Sequence, residues 1–351
     1  MSVFRPEIEE MEGYTPGFQP PEGEYIKLNT NENPYPPSPS ALDALRNACG
    51  EDLRKYPDPM TAECRRVVAE REGARPQNVL CGNGSDDLLN MAIRAICPED
   101  QAVAYPRPSY SLYSVLGRIR GARVETVEFP DDYSLPRREL ARTGARLVLV
   151  PNPNSPSGTM LPPAEMGRLA EELEGVLLID EAYADFADTD CMALALRHEN
   201  VIVTRSLSKS YSLAGLRFGY AVASERLIEG LAKVKDSYNV SRLAAAGAAA
   251  ALRDDEWMKK NVQQVRRTRE RLVEGLHEMD FHCWPSSTNF VLTRPPEEWN
   301  AGELHEELFG RKILVRYFDT PRLRDCLRIT VGTDEEIDAL LDELRDICLT
   351  A

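Results

Sequence analysis

The sequence predicts an α/β protein in which a large domain with a mostly parallel sheet, flanked by helices, is joined to a smaller α+β domain. Between about residues 60 and 224, short apolar runs without alternation are interleaved with segments of helical periodicity. Such runs are typical of strands buried on both faces, as in parallel sheets. After Ser224 the pattern is mainly helical, and the length of 351 residues suits about two domains.

The N-terminal region has a different composition. Residues 1–40 are rich in Pro, Gly and Asn, and their segments "YTPGFQPPEGEY" and "NENPYPPSPS" cannot form helix interior. We therefore expect an extended arm that packs against another part of the protein. The predicted division of the chain is an arm (1–30), a large domain (55–245) and a small α+β domain (31–54 with 246–351).

The large domain is predicted to alternate strands and helices. Ser85 is the expected N-cap of one helix, because acidic residues fill the turn after it, and Pro162 and Pro163 introduce another. The predicted strands are 78–82, 101–105, 145–150, 176–180 and 201–204, and the predicted helices are 85–96 and 164–173.

The predicted small domain contains more helix. A helix capped by Ser224 is followed by a long amphipathic helix over 254–280, and strand-like segments lie at 288–293 and 326–332. Apolar residues at helical spacing close the chain after Thr333, a predicted N-cap. We expect the long helix to lead from the large domain into the small one.

Composition and charge exclude several classes of protein. The formal net charge of −15 disfavours nonspecific nucleic-acid binding, although local arginines can still bind a small anion. An acidic N-terminus and the lack of an 18-residue apolar run predict a cytoplasmic protein that is not bound to membranes. The eight scattered cysteines form no C-x-x-C pair and the four histidines have no metal-ligand spacing, so we expect buried free thiols and no metal.

Four polar clusters directly follow predicted strands. They are "GNGSDD" after Leu80, "PNPNSPSG" after Val150, "DEAY" at the end of strand 176–180, and "RSLSK" after Thr204. Ligands of open parallel sheets bind beyond the carboxyl ends of the strands. The shared position of these clusters therefore predicts one ligand site at this edge of the sheet.

The "GNGSDD" cluster fits either an anion cradle or an ordinary helix N-cap. Gly82 and Gly84 permit close approach of a ligand to the backbone. The amides of Ser85 and Asp86 would lie at a helix N-terminus, which attracts anions. The cluster is not a dinucleotide-binding fingerprint, because Asp87 stands where the third glycine belongs, and the chain has no P-loop.

Asp180 and Lys209 each allow a structural and a chemical interpretation. Asp180 ends a buried strand, so it forms a salt bridge or faces a cationic ring nitrogen. Lys209 is either a solvated loop residue or, among small hydroxyls, a desolvated nucleophilic amine. Tyr183 could reach the same ligand, and Arg217 can bind a phosphate through two hydrogen bonds. An amine, a ring-facing acid and a phosphate cup together match pyridoxal phosphate, which carries an aldehyde, a pyridine and a phosphate.

Five motifs carry a resemblance to a known family. "LNTNENPYPPSP", "NGSDDLL", "NPNSPSG", "DEAYADF" and "SLSKSYSLAGLRFGY" resemble fold-type I pyridoxal-phosphate-dependent aminotransferases, and within them the histidinol-phosphate aminotransferases. The resemblance runs from about residue 25 to the end, with the motifs in the family's order. It implies pyridoxal 5'-phosphate as cofactor and a homodimer with shared active sites.

The resemblance also implies the roles of individual residues. Lys209 would form the internal aldimine and carry the proton, Asp180 would pair with the pyridine nitrogen, and Tyr183 would hydrogen-bond the ring hydroxyl. Tyr110 would stack on the ring, and Tyr56 would reach the phosphate of the partner subunit. The implied phosphate cup is formed by Gly84, Ser85, Asp86, Ser206, Ser208 and Arg217.

The resemblance extends to the substrate site, with one departure. Arg328 matches the arginine that grips the anionic end of the substrate, Arg316 assists it, and Asn33 lies where the arm would line the pocket. Many relatives have the asparagine that bonds the ring hydroxyl directly before proline, where this chain has Ser155. We assign that role to Asn154; Asn152 or a water molecule is the alternative.

The implied reaction is transamination between L-histidinol phosphate and 2-oxoglutarate in histidine biosynthesis. An aromatic amino-acid aminotransferase and a threonine-phosphate decarboxylase of the same family are the alternatives. A cofactor-sensing regulatory domain is disfavoured by the acidic charge and by the lack of a helix-turn-helix segment. A non-enzymatic scaffold of the same fold would lack the cofactor's absorbance band.

Overall fold

The computed structural model describes residues 2–21 and 23–350, so residues 1, 22 and 351 of the predicted arm and small domain lie outside it. The helices are α1 (Pro6–Glu10), α2 (Pro39–Ala48), α3 (Ala62–Glu72), α4 (Ser85–Ile96), α5 (Leu112–Arg120), α6 (Arg137–Arg142), α7 (Pro163–Glu172), α8 (Met192–Arg197), α9 (Glu225–Val234), α10 (Arg242–Arg253), α11 (Asp255–His277), α12 (Ala301–Gly310) and α13 (Asp334–Thr350). The strands are β1 (Ile26–Lys27), β2 (Val79–Gly82), β3 (Ala102–Arg107), β4 (Arg123–Glu128), β5 (Leu147–Pro151), β6 (Val176–Asp180), β7 (Val201–Ser206), β8 (Gly219–Ala223), β9 (His282–Cys283), β10 (Phe290–Arg294), β11 (Ile313–Leu314), β12 (Arg316–Tyr317) and β13 (Leu327–Thr330).

A seven-stranded sheet forms the centre of the molecule, in the order β2-β8-β7-β6-β5-β3-β4. Only β8 runs against its neighbours; it is antiparallel to both β2 and β7, and the other pairs are parallel. The fold is therefore the predicted α/β class with a mostly parallel sheet. Every residue of β5 and β7 is buried, which explains their apolar runs without alternation.

Two hydrophobic cores cover the two faces of this sheet. Alternate residues of one strand enter different cores: Val148 and Val150 of β5 lie in the larger core, while Leu147 and Leu149 lie in the smaller one. The smaller core is built with α4, α5 and α9, and the larger one continues into the C-terminal part of the chain. Both faces of the sheet are thus covered by hydrophobic cores, and the ends of the strands remain available for a site.

The sheet register brings the four polar clusters to one edge. Asp180 at the end of β6 lies beside Pro151 of β5 and Thr204 of β7. Gly82 at the end of β2 pairs with Gly219 of β8, which pairs with Ser206 of β7. The loops that follow β2, β5, β6 and β7 therefore leave the sheet side by side, as the sequence predicts.

A second, four-stranded antiparallel sheet has the order β12-β13-β10-β9 and packs with α11, α12 and α13. The arm is joined to this part of the chain, because β1 pairs in parallel with β11. The short elements α1 and β1 within the arm are not predicted by the sequence. The predicted domain boundary between residues 245 and 246 falls inside α10, so that division of the chain stays a prediction.

Three local predictions about helix starts have different outcomes. Thr333 caps α13 as predicted: its hydroxyl accepts from the amide of Glu336, whose carboxylate accepts from the amide of Thr333. Ser224 precedes α9, but its hydroxyl donates to the carbonyl of Glu199 instead of capping. The prediction for Ser85 is wrong, because Ser85 is already helical and Gly84, with φ +81°, is the residue before the helix.

The eight cysteines are all unpaired but differ in exposure. Cys49 is exposed and Cys283 and Cys348 are half-buried, so the prediction of buried thiols holds for only five of them. None of the helices formed by residues 2–21 and 23–350 is long and apolar enough to span a membrane.

Candidate active site

A cavity of about 730 Å³ lies at the carboxyl edge of the large sheet, within the size range of small-molecule sites. Its walls come from the arm, from the loops after the parallel strands and from β12 and β13. The structure brings together on its walls these predicted site residues: Ser85, Asp86, Tyr110, Asp180, Tyr183, Ser206, Ser208, Lys209, Arg217, Arg316 and Arg328.

The cavity carries more positive than negative side chains, although the whole chain has a net charge of −15. Its described lining has six cationic side chains and four carboxylates, and this local excess attracts anions. The cations are Arg107, Lys209, Arg217, Arg316, Arg322 and Arg328, and the carboxylates are Glu32, Asp86, Glu128 and Asp180.

Hydroxyls and a guanidinium converge at one end of the cavity. The Ser206 hydroxyl donates to Ser208 Oγ over 2.9 Å, and Arg217 Nη1 donates to the same Oγ over 3.3 Å. Arg217 Nη2 also lies 3.1 Å from a carboxylate oxygen of Asp86. The donors needed by a phosphate group are therefore gathered around one point.

The N-terminus of α4 completes this end of the cavity. Gly84 has φ +81°, and a Cβ there would lie 2.5 Å from Arg217 Nη2. A Cβ at Gly219 would lie 2.6 Å from the backbone nitrogen of Ser85. Glycines thus let the helix N-terminus, a strand and the arginine approach closely, and they form a cradle suited to an anion.

Asp180 is only 5% exposed and has no cationic partner among the residues that the structure describes. The hydroxyl of Tyr113 donates to its Oδ2 over 2.9 Å, and Thr204 donates to Oδ1 over 3.4 Å. Burial raises the pKa of the Asp180 carboxyl to about 6, against the opposing effect of the Tyr113 hydrogen bond. A buried acid held in this way is suited to receive a cationic group of a ligand.

The ordinary salt bridge considered for Asp180 is made by its neighbour. Glu181 accepts two hydrogen bonds from Arg205, at 3.0 and 3.1 Å, on the side away from the cavity. Burial raises the pKa of the Glu181 carboxyl to about 7, and the charge of Arg205 opposes this rise. Because successive residues of a strand face opposite sides of the sheet, one acid supports the structure and the other faces the cavity.

Lys209 extends into the cavity from the loop after β7. Its amine donates to the backbone oxygen of Thr30 over 3.3 Å and lies 5.7 Å from the centre of the Tyr183 ring. Among the described residues, no carboxylate lies within 4 Å of this amine. The loop itself is held at both sides of Lys209: Asn33 Nδ2 donates to the Lys209 carbonyl over 3.0 Å, and the Ser210 hydroxyl bonds Asp185.

Asn33 therefore contacts the lysine loop, whereas its neighbours in the chain, among them Asn31 and Glu32, line the described part of the cavity. Asn31 Nδ2 donates to the Tyr183 hydroxyl over 2.9 Å and so fixes its position. Tyr110 lines the cavity and its hydroxyl lies 3.2 Å from Asp86 Oδ1.

Arg316 and Arg328 face the other end of the cavity from adjacent strands, where they are direct register partners. The guanidinium of Arg328 lies over the rings of Phe290 and Phe318, at 5.1 and 5.4 Å, and Arg316 lies over Phe318 at 5.1 Å. Neither arginine is paired with a carboxylate in the described structure. Burial lowers the pKa of Arg328 to about 10, so it keeps its charge at neutral pH and attracts anions.

The loop after β5 differs from what the sequence suggests. Asn152 is engaged by Leu161, whose amide donates to its Oδ1 and whose carbonyl accepts from its Nδ2. Asn154 is fully buried, its Nδ2 donates to Ser157, and its Oδ1 has no partner. In the described lining of the cavity, Ser155 is present and these two asparagines are not.

Tyr56 lies outside the described lining of the cavity and is 76% exposed. Its ring stacks on that of Tyr238, with centroids 4.4 Å apart and planes 11° from parallel. A role in the site of the same chain is thus not supported, and the predicted role in a partner's site remains a prediction.

Sequence reasoning missed Tyr113, Asn31 and Ser155. Tyr113 could have been found, because it follows Tyr110 by three residues, about one helical turn, in the motif "PSYSLY". The roles of Asn31 and Ser155 become visible only from their contacts. Asn31 contacts Tyr183 and Ser155 contacts Arg328, each more than 150 positions away in the chain. Neither contact leaves a local signal.

The candidate site combines a buried acid, a lysine without a carboxylate partner in the described structure, and an anion cradle. These features are typical of proteins that bind a ligand with a cationic ring and a phosphate group. The family Aminotransferase class I and II matches residues 23–344 of the chain. The chain belongs to this family.

Individual relatives are similar over nearly their whole length. Histidinol-phosphate aminotransferase 1 of Trichormus variabilis is 46% identical over 347 residues, which cover 99% of each chain. Histidinol-phosphate aminotransferase of Geobacter sulfurreducens is 44% identical, over 99% of this chain and 100% of the relative. The crystal structure of histidinol-phosphate aminotransferase from Sinorhizobium meliloti in complex with pyridoxal-5'-phosphate is 27% identical, covers 100% of this chain and 98% of its own, and has a TM-score of 0.90.

Proposed function

We propose that this chain is a pyridoxal-phosphate-dependent aminotransferase that moves an amino group between L-histidinol phosphate and 2-oxoglutarate in histidine biosynthesis. The family and the relatives named histidinol-phosphate aminotransferase support this assignment. The observation that carries it is one cavity with a buried acid, a lysine and, at its other end, two arginines that no carboxylate of the described residues pairs with.

The residues of the cavity fit pyridoxal phosphate. Asp180 is a buried acid that has no cationic partner among the described residues, as a pyridinium nitrogen requires. The cradle at Gly84, with Ser206, Ser208 and Arg217, supplies donors for the phosphate. When bound, this cofactor supplies an aldehyde that takes up the amino group and an electron-withdrawing ring.

Three residues would do the chemistry beside the cofactor. Lys209 would hold the cofactor through its amine and, once the donor's amino group has displaced it, would take the proton from Cα of the amino donor, a role typically worth about 10² to 10⁴ in rate. Asp180 would keep the proton on the ring nitrogen. Tyr183, whose hydroxyl accepts a hydrogen bond from Asn31, would bond the ring hydroxyl. Asn33 holds the backbone of Lys209 in place.

The two arginines at the other end would bind the anionic part of each substrate. Histidinol phosphate carries a phosphate and no α-carboxylate, whereas glutamate carries carboxylates. A guanidinium binds either anion through parallel hydrogen bonds, so Arg328, assisted by Arg316, can serve both half-reactions.

We further propose a homodimer in which Tyr56 of one subunit reaches the phosphate end of the other subunit's site. The exposure of the stacked pair Tyr56 and Tyr238 supports it, because large aromatic side chains on a surface often mark an interface. The eight unpaired cysteines fit the cytoplasm, where thiols stay reduced.

The test is a single-turnover reaction of the purified holoenzyme with histidinol phosphate, phenylalanine or threonine phosphate. We expect histidinol phosphate to discharge the cofactor's absorbance band at the highest kcat/KM, and Lys209→Ala to lack both that band and turnover. Faster reaction with phenylalanine, or release of carbon dioxide from threonine phosphate, would support an alternative activity of the family. A holoprotein without a lysine-dependent band would refute the proposal.

A further inference from the structure

The surroundings of Arg328 contain an unexplained contact. Its guanidinium lies over Phe290 and Phe318, and its Nη2 donates to the backbone oxygen of Asn29 over 3.1 Å. Its buried Nε has no partner in the part of the chain that the structure describes. Nη1 donates to the Ser155 hydroxyl over 3.2 Å. Among the described residues, Ser155 is the single side chain that accepts a hydrogen bond from Arg328.

This contact connects two parts of the chain across the cavity. Ser155 belongs to the loop after β5, at the edge of the large sheet, whereas Arg328 lies in β13 of the second sheet. The contacts with the two aromatic rings are not directional hydrogen bonds, so they do not decide where the N–H groups of the guanidinium point. The bond to Ser155 therefore determines, together with Asn29, in which direction the remaining N–H groups point.

The chemistry of serine suits this position. A carboxylate would neutralise Arg328 and weaken its attraction for an anion, and alanine would leave Nη1 without a partner. A hydroxyl that accepts from Nη1 still has its own proton to donate. That proton and the free N–H groups of Arg328 can then bind oxygens of the same anion. Asn154 cannot replace it, because its side chain is buried and bonded to Ser157.

We propose that Ser155 is a positioning and specificity-determining residue that orients Arg328 and donates its own hydrogen bond to the substrate's phosphate group. The inference rests on the proposed function, because histidinol phosphate supplies that group. A tetrahedral phosphate offers oxygens to both donors, so Ser155 favours phosphate esters over amino donors without an anionic end.

The experiment compares Ser155→Ala and Ser155→Thr holoenzymes with the wild type on histidinol phosphate and on histidinol, which lacks the phosphate. We expect Ser155→Ala to raise KM for histidinol phosphate about tenfold with little change in kcat, because one charge-assisted hydrogen bond is lost. KM for histidinol should stay within about twofold of the wild type. Ser155→Thr retains the hydroxyl and should restore KM to within about threefold of the wild type.

The matched control is Ser286→Ala. Ser286 abuts Gly158 of the same loop, but it lies outside the described cavity lining, and its hydroxyl bonds the backbone of Phe290. An unchanged KM in this control shows that a disturbed loop is not the cause. Equal losses for histidinol and histidinol phosphate in Ser155→Ala would overturn the inference, as would an unchanged KM for both.

A direct binding measurement separates this inference from the proposed function. Inorganic phosphate is titrated into the holoproteins by calorimetry, and Ser155→Ala should bind it about tenfold more weakly than the wild type. If the wild type does not turn over histidinol phosphate but the phosphate affinity falls as expected, the proposed function fails and the anion site stands. If the phosphate affinity is equal in both proteins, the inference fails whatever the activity.

Discussion

At the residue scale, the site depends on how buried charges are balanced. Glu181 is neutralised by Arg205, whereas Asp180 is buried without a cation and is held by the neutral hydroxyl of Tyr113. Such an arrangement is unfavourable for the free energy of folding, since burial penalises the ionised form. It is therefore typical of a position that a ligand's positive charge completes.

Tyr113→Phe tests how Asp180 is kept ionised. The hydrogen bond from Tyr113 lowers the pKa of a carboxyl that burial raises to about 6, so its removal should raise that pKa further. Because the ionised carboxylate is the active form, the acidic limb of the pH profile of kcat/KM should move to higher pH, by about one unit.

The same variant should bind pyridoxal phosphate more weakly near pH 6, measured by equilibrium dialysis with the cofactor-free protein. Tyr133→Phe is the control, because Tyr133 is buried but lies outside the described cavity lining. A limb at the wild-type pH, with only a lower Tm, would mean that Tyr113 has a purely structural role.

Arg328→Lys tests the anion site at the other end of the cavity. Lysine keeps the charge but cannot form two parallel hydrogen bonds or stack on Phe290 and Phe318 in the same way. We expect kcat/KM to fall by at least tenfold in both half-reactions, with histidinol phosphate and with glutamate, in single-turnover measurements. Wild-type rates in either half-reaction would contradict a shared role for Arg328.

At the scale of elements, the start of α4 shows why the anion cradle needs glycine. Sequence reasoning places the N-cap at Ser85, but the positive φ of Gly84, +81°, turns the chain so that the helix begins beside Arg217. A hydroxyl cap would satisfy the helix's own amides. Without it, the amides at the N-terminus of α4 remain available for a ligand.

Gly84→Ala should therefore weaken cofactor binding as well as stability. Its Cβ would displace Arg217, and the Gly84 backbone, with φ +81° and ψ +168°, lies in a region essentially limited to glycine, which disfavours alanine by about 1 to 3 kcal/mol. Gly73→Ala is the control, since Gly73 also has a positive φ, +64°, but no described atom lies within 4 Å of its added Cβ.

Both variants should lower the Tm of the cofactor-free protein, measured by calorimetry, and Gly84→Ala should lower it more because of its more restricted backbone and its contact with Arg217. Only Gly84→Ala should raise the Kd for pyridoxal phosphate, by about tenfold, because only there does the added methyl group move a phosphate-binding side chain. An equal loss of cofactor affinity in the two variants would show that general destabilisation explains the effect.

At the scale of the whole molecule, the position of Tyr56 raises the question of how many chains form one site. Its side chain is exposed within a single chain and stacks on Tyr238, away from the described cavity lining. If subunits share their sites, a dimer of two different inactive chains can contain one complete site.

Mixing Lys209→Ala and Tyr56→Ala chains tests this arrangement. After joint unfolding and refolding, a hybrid dimer would hold one site with Lys209 from the second chain and Tyr56 from the first, so activity should reappear. The measurement is kcat of the purified hybrid, compared with each variant refolded alone. A hybrid no more active than Tyr56→Ala alone would mean that Tyr56 does not act across an interface.

The sequence by itself determined the class of fold and the edge of the sheet at which the candidate site lies. Apolar runs without alternation predicted buried parallel strands, since a strand covered on both faces has no polar side. Polar clusters at the ends of those runs predicted the edge at which Asp180, Lys209 and Arg217 meet, because carboxyl ends of parallel strands share one edge. These features are local in the chain, so they can be read from it.

Only the tertiary structure decided the contacts between distant segments. It showed that Tyr113 holds Asp180, that Asn33 holds the Lys209 loop, and that Ser155, not Asn154, lines the cavity. The physical reason is that a side chain's partner depends on which backbone segments pack together. Such contacts join residues from 67 to 176 positions apart, and no spacing in the sequence records them.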